Sequence, residues 1–335
     1  MYSNEDLNSA IDDGVFSQQD VDRFRENIAL KRKSPSVDEE NFRLISGFND
    51  IFVVIASILT LLSASWATYA ISPILSAVLV SMLSWGLAEF FVKKRKMALP
   101  AIILLSAFVG NTFYGFNTLF ELILNNGHQQ SMMFSSILTG IMTYIHWRRF
   151  KVPITLAFGM SVLIIFCITL FLTIFRDIGN LIPYVTLFLG FITFSTAMYW
   201  DMKDTKRVSN NSDIAFWLHL LSAPLIVHSI FTILGVFDSN ENGIGTMLAI
   251  ILLYITLSSI SLIIDRRAFM VSSLAYVLYA LTKLFNTYGV ESGSFAMAGM
   301  MIGLALLLLS GYWSKVRKIL VSFFPKKLRD IVPSV

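Results

Sequence analysis

Five ionisable side chains lie inside long apolar stretches of this sequence: Glu89, Glu121, His219, His228 and Lys283. An ionisable group in hydrocarbon is costly, so each is a functional candidate. Glu121 has the most company. At 100° per residue, Asn111, Tyr114, Thr118 and Glu121 share an arc of about 80° on one helix, with Asn117 beside them. Such a stripe must face protein or water; it can line a solute path or tie helices together. Lys283 shares a helix face with Tyr276, Tyr279 and Asn286 near one end of its stretch, where an ammonium can snorkel to the interface. His219 and His228 fall on opposite faces of one helix and so do not ligate a single metal; a proton relay and plain interhelical hydrogen bonding both stay open. Glu89 stands four residues before Lys93, the spacing of a local ion pair. The candidate binding residues are therefore Asn111, Tyr114, Asn117, Thr118, Glu121, His219, His228 and Lys283. No catalytic residue, metal ligand or cofactor site is read from the sequence.

These side chains need membrane helices to position them. The chain is 55% hydrophobic and 14% charged, where a soluble domain carries about 25% charged residues. Eleven of its 22 acids fall in the first 50 residues, and the rest of the chain is a series of apolar blocks. Blocks of about 20 residues match a hydrocarbon core of about 30 Å. The expected fold is an all-α, polytopic transmembrane bundle. Its ten spans lie near 50–70, 73–92, 98–124, 131–147, 153–175, 181–200, 214–236, 246–264, 268–285 and 294–313, the fourth being the shortest. They form the middle of three regions: 1–49, a cytoplasmic helical hairpin and linker; 50–313, the membrane domain; and 314–335, a basic amphipathic tail.

The charges orient this bundle. With the N-terminus inside, 24 of the 26 Lys and Arg fall on the inner side, leaving Arg176 and Lys283 outside. A miscounted span would scramble that segregation. Both termini are expected in the cytoplasm. The basic turns recur near 94, 149, 206, 266 and 317, each gap holding one outgoing and one returning helix, which reads as five hairpins. The acidic N-terminus, with no basic or apolar leader, does not read as a cleaved signal.

Within the N-terminal hairpin, Gly14 ends one short helix, and Ser17 with Asp20 can cap a second carrying Val21, Phe24 and Ile28. It is too small to fold alone and should dock on something, which makes it a site for a protein partner. The basic tail, with Ile319, Leu320, Phe323 and Phe324 among its cations, is expected on anionic inner-leaflet lipid. Pro224 falls mid-span and should kink its helix. Gly299 and Gly303 form a small-xxx-small pair. No HExxH, G-x-S-x-G or P-loop motif is present, and the charge placement points to lipid rather than nucleic acid.

Three stretches carry a resemblance: Gly47-Phe48-Asn49-Asp50-Ile51-Phe52-Val53, His146-Trp147-Arg148-Arg149-Phe150, and the run from Phe216 through Pro224 to His228. They resemble an uncharacterised family of bacterial polytopic inner-membrane proteins, a domain of unknown function, from about Asp38 to the tenth span. The resemblance implies a bacterial inner-membrane location and brings no activity. The first functional expectation is membrane transport or solute binding through the polar face of the third span. A non-catalytic membrane scaffold or accessory protein is the alternative, and an intramembrane enzyme acting on lipid stands third.

Overall fold

The computed structural model describes residues 4–32, 45, 47–124, 127–175, 179–205, 207, 209–235, 244–288, 293–323, 325 and 332. Among them every regular element is helical. In chain order these are α1 (Asn4–Asp12), α2 (Gln18–Arg32), α3 (Phe48–Tyr69), α4 (Pro73–Ala88), α5 (Ala98–Leu124), α6 (His128–Phe150), α7 (Ile154–Ile174), α8 (Ile182–Lys203), α9 (Asn210–Ile233), α10 (Ile244–Ile264), α11 (Ala268–Thr287) and α12 (Ser294–Ser322). A π-helical turn, Glu89–Lys94, continues α4, and a short 3₁₀ turn, Gly179–Leu181, leads into α8. The chain divides into two compact units: Phe42–Ile182, and Pro183–Val335 together with Tyr2–Asn41. Each unit holds five of the ten long helices. The division falls between α7 and α8, inside the third expected hairpin.

Nine helices among the described residues are long and apolar enough to cross a membrane, as in a multi-pass membrane protein. The one expected span outside this set is α6. It is long enough, at 23 residues, but less apolar than the other nine. Its polar residues explain the difference. Ser131, Ser135, Ser136, Thr139, Thr143 and His146 are all buried along it. Ser135 and Thr143 return their hydroxyls to carbonyls one turn back, Ser131 at 2.5 Å and Thr139 at 2.7 Å. Small side chains bonded to their own helix let neighbouring backbones approach closely.

Helix ends follow local chemistry. Ser72 caps α4 by accepting from the Leu75 N–H, and Pro73 fills the first position, where a missing N–H costs nothing. Ser17 and Asp20 cap α2 reciprocally: the Ser17 hydroxyl donates to Asp20 Oδ2 at 2.6 Å and accepts from the Asp20 N–H at 3.2 Å. The hydroxyl's hydrogen bond holds the Asp20 carboxyl below its ordinary pKa. The four basic turns share one backbone device. Lys96, Lys151, Arg207 and Asp265 each adopt a left-handed conformation, with φ between 52° and 57°. Non-glycine residues seldom do so, and here each allows a tight reversal between helices.

Within the first unit, Leu61, Val80, Ala88 and Leu104 form a core joining α3, α4 and α5. Within the second, Ala223, Ile226, Phe231, Met247, Ile250 and Ala280 do the same for α9, α10 and α11. Pro224 lies inside α9, which runs through it as one helix. There α8 comes close: a Cβ on Gly190 would sit 2.9 Å from Ile226 Cγ1 and 3.2 Å from the Ile226 backbone nitrogen. In contrast, Gly299 and Gly303 meet nothing within 4 Å. Helix α12 runs past the expected boundary at 313 to Ser322, burying Trp313, Arg317 and Val321 and leaving Ile319 and Phe323 exposed. The tail cations Lys326 and Lys327, and Phe324, lie outside the described residues, as does the side chain of Ile28. On α2, Val21 is buried and Phe24 exposed.

Candidate functional site

The first unit contains a groove of about 500 Å³ between α4, α5 and α6. Its walls are almost wholly apolar, with Val78, Met82, Trp85, Phe108, Phe116 and Met142 among them. On α4 it reaches from Ile74 to Trp85, about 16 Å at the helical rise. The floor is set where α4 and α5 approach, since a Cβ on Gly115 would lie 2.9 Å from Ala77 Cβ.

The few polar groups in this groove bond mostly to one another or to their own helix. Ser81 and Thr112 share a hydrogen bond at 3.3 Å across the α4–α5 seam. Asn111 turns its amide back to donate to the Ala107 carbonyl at 2.9 Å. What the groove offers is therefore hydrocarbon surface, aromatic at one end. There Trp85, Phe108, His146 and Phe150 cluster, with ring centroids 4.5 to 5.6 Å apart in the contacts that His146 makes. His146 is buried and its Nδ1 has no hydrogen-bond partner.

One turn beyond Trp85 and Ile145, α4 and α6 are joined by an ion pair. Arg149 donates from Nε to Glu89 Oε1 at 2.6 Å and from Nη2 to Glu89 Oε2 at 2.9 Å. Glu89 thus pairs across helices, where the spacing pointed to Lys93. Around this bridge Lys93, Lys94, Arg95, Lys96, Arg148 and Lys151 are exposed. Several rest on aromatic rings: Lys151 lies 4.5 Å from the Trp147 centroid and Arg95 5.6 Å from that of Phe90.

The polar stripe on α5 is a separate face. Only Asn111 of its members lines the groove. Tyr114 and Tyr69 meet through their hydroxyls at 3.3 Å, and Thr118 bonds the Tyr114 carbonyl. Glu121 accepts from Asn117 at 3.0 Å and meets His128 Nδ1 at 2.7 Å, with its side chain 42% exposed. Asn117 Oδ1 is buried without a partner.

In the second unit, His219 and His228 have different surroundings. His228 Nδ1 is 2.7 Å from the Tyr276 hydroxyl, and the Tyr276 ring stacks on Phe231. His219 belongs to a buried charge network. Its Nε2 is 2.8 Å from Asp201 Oδ2, while Arg266 Nη2 donates to Asp201 Oδ1 at 2.5 Å and to the Ser212 carbonyl at 3.2 Å. With Nε2 turned to the carboxylate, His219 Nδ1 has no hydrogen-bond partner. A second cluster centres on Asp265. Its carboxylate accepts from Arg207 Nη1 at 2.9 Å and Trp313 Nε1 at 2.7 Å, and Arg317 lies 3.7 Å away. Lys283 sits 6.0 Å from the Tyr279 ring centroid, on its own helix.

No family model matches this chain, and neither does any curated protein or solved structure. Sequence reasoning passed over Asp201, Arg266, Asp265 and Trp313, because the arginines were read as charges that orient helices. The available signal was the acids: Asp201, Asp204 and Asp265 sit in segments otherwise rich in Lys and Arg. The groove had no sequence signal, since its walls are ordinary apolar residues.

Proposed function

We propose that this protein is a membrane transport or solute-binding protein whose ligand is an amphiphile, its hydrocarbon part held in the α4–α5–α6 groove. The groove carries the reading. Its volume, about 500 Å³, falls in the range of small-molecule sites, about 300–1,000 Å³, and its walls are almost wholly apolar. A polar solute would find few partners there in exchange for its water, whereas an alkyl chain would lose nothing. The setting we infer is a bacterial inner membrane, crossed ten times with both termini in the cytoplasm. The fourth span is α6, whose polar side is covered by protein, so its low hydropathy is no bar to spanning. The 24-to-2 division of cations gives the direction. The basic tail adds contact with anionic inner-leaflet lipid.

The test is photolabelling of the purified protein in lipid nanodiscs with a diazirine-bearing alkyl amphiphile, followed by peptide mapping. Label should concentrate on α4, α5 and α6 and fall when Met142→Trp and Ile145→Trp fill the groove. Label spread in proportion to exposed apolar surface, unchanged by the filled variant, would refute it.

A scaffold role has its own observation. On the N-terminal hairpin Val15, Phe16 and Phe24 are exposed although Val21 is buried, an apolar surface suited to a protein partner.

A further inference from the structure

We infer that the groove takes the acyl chain of an anionic phospholipid, whose phosphate is held at the Glu89–Arg149 end of the first unit. This inference rests on the groove reading and names its ligand class. From Ile74 to Glu89 is about 22 Å along α4 and the turn that continues it, so a chain held at Glu89 can lie straight along the groove within a core about 30 Å thick. Its aromatic end leads to charge: Glu89 is one turn beyond Trp85 on α4, and Arg149 one turn beyond Ile145 on α6. A chain lying in the groove therefore brings its headgroup to this ion pair.

The pair is lopsided in a way that suits an anion. Arg149 spends Nε and Nη2 on Glu89. Its Nη1 carries no hydrogen bond, and the side chain is 47% exposed. Glu89 neutralises one cation, while Lys93, Lys94, Arg95, Lys96, Arg148 and Lys151 stand exposed nearby with no other acid on either segment. A phosphate at Arg149 Nη1 would complete the guanidinium's fork, the geometry arginine favours for phosphate. Aromatic rings at the same level, Phe90, Tyr144 and Trp147, lie against cations, as interfacial side chains do at the headgroup boundary.

The experiment is native mass spectrometry of the full-length protein in detergent, offered equal amounts of phosphatidylglycerol and phosphatidylcholine with matched chains. Wild type should retain phosphatidylglycerol preferentially. Replacing Arg148 and Lys93 by Gln, leaving the Glu89–Arg149 bridge intact, should cut that preference about fivefold per cation removed. Met142→Trp with Ile145→Trp should lower retention of both lipids. Equal retention of the two lipids, with the groove-filled variant still defective, would overturn the headgroup assignment and leave the groove reading standing. No effect of filling the groove would overturn both. Displacement of the lipid by excess inorganic phosphate would mean a phosphate site only, and would likewise overturn the proposal. Thermal unfolding of each variant separates lost binding from lost folding.

Discussion

Asp201 shares its carboxylate between two side chains: Arg266 donates to Oδ1 from Nη2 at 2.5 Å and to Oδ2 from Nε at 3.4 Å, His219 Nε2 lies 2.8 Å from Oδ2, and all three are almost fully buried. The sharing ties α8, α9 and the α10–α11 turn at one point of the second unit. A buried ion pair adds little over a well-packed apolar pair, but losing one partner leaves a naked charge. Asp201→Asn should therefore destabilise by about 3–5 kcal/mol in detergent unfolding. His219→Gln, which keeps a donor, should cost about 1 kcal/mol. Combined with Arg266→Met, Asp201→Asn should cost less than the sum of the two single changes, because the orphaned charge is gone. Strict additivity would mean that the network is not coupled.

Close helix approach gives a paired expectation. Gly190→Ala must push Ile226 and its backbone, so it should lose about 1–3 kcal/mol. Gly299→Ala meets open space on a helix and should gain about 0.5–1 kcal/mol. Equal effects at both sites would contradict the α8–α9 packing described.

The fourth span, α6, is tested by accessibility. Cys167 is the single cysteine, so a Cys167→Ser background can carry one new cysteine at a time. A membrane-impermeant maleimide applied to intact cells should label position 128 and spare position 151 until the cells are opened. The same response at both positions would remove α6 from the spans and invert everything after it.

Long apolar stretches were legible in the sequence because hydrocarbon imposes a minimum length on each helix. Ala98–Leu124 matches its expected range, and most other ends fall within a few residues. α12 overran its range because its last turns carry Lys and Arg, which read as tail, although Arg317 turns inward toward Asp265. The Ser17–Asp20 cap was legible because capping is local. Pairings between helices were not: the polar stripe on α5 could be drawn on a helical wheel, but nothing in its spacing said that Glu121 would meet His128 on α6. The same holds for Glu89, whose near neighbour Lys93 was the wrong partner. The groove depends on three helices at once, and its apolar lining looks like any lipid-facing surface.

A division of labour on α5 follows from its two faces. Glu121→Gln should leave groove photolabelling unchanged, since Glu121 does not line the groove and its contacts are Asn117 and His128. A bulkier side chain at Asn111, as in Asn111→Phe, should reduce labelling by intruding into the groove. A loss of label in Glu121→Gln would move the site to the polar stripe.

The most direct measurement is a density map of the protein in nanodiscs containing phosphatidylglycerol. Elongated non-protein density should lie along α4 from Ile74 to Trp85, against Phe108 and Met142, with a headgroup feature at Arg149. A groove closed by movement of α6 onto α4, or one holding no density beyond that of neighbouring bulk lipid, would contradict the lipid assignment.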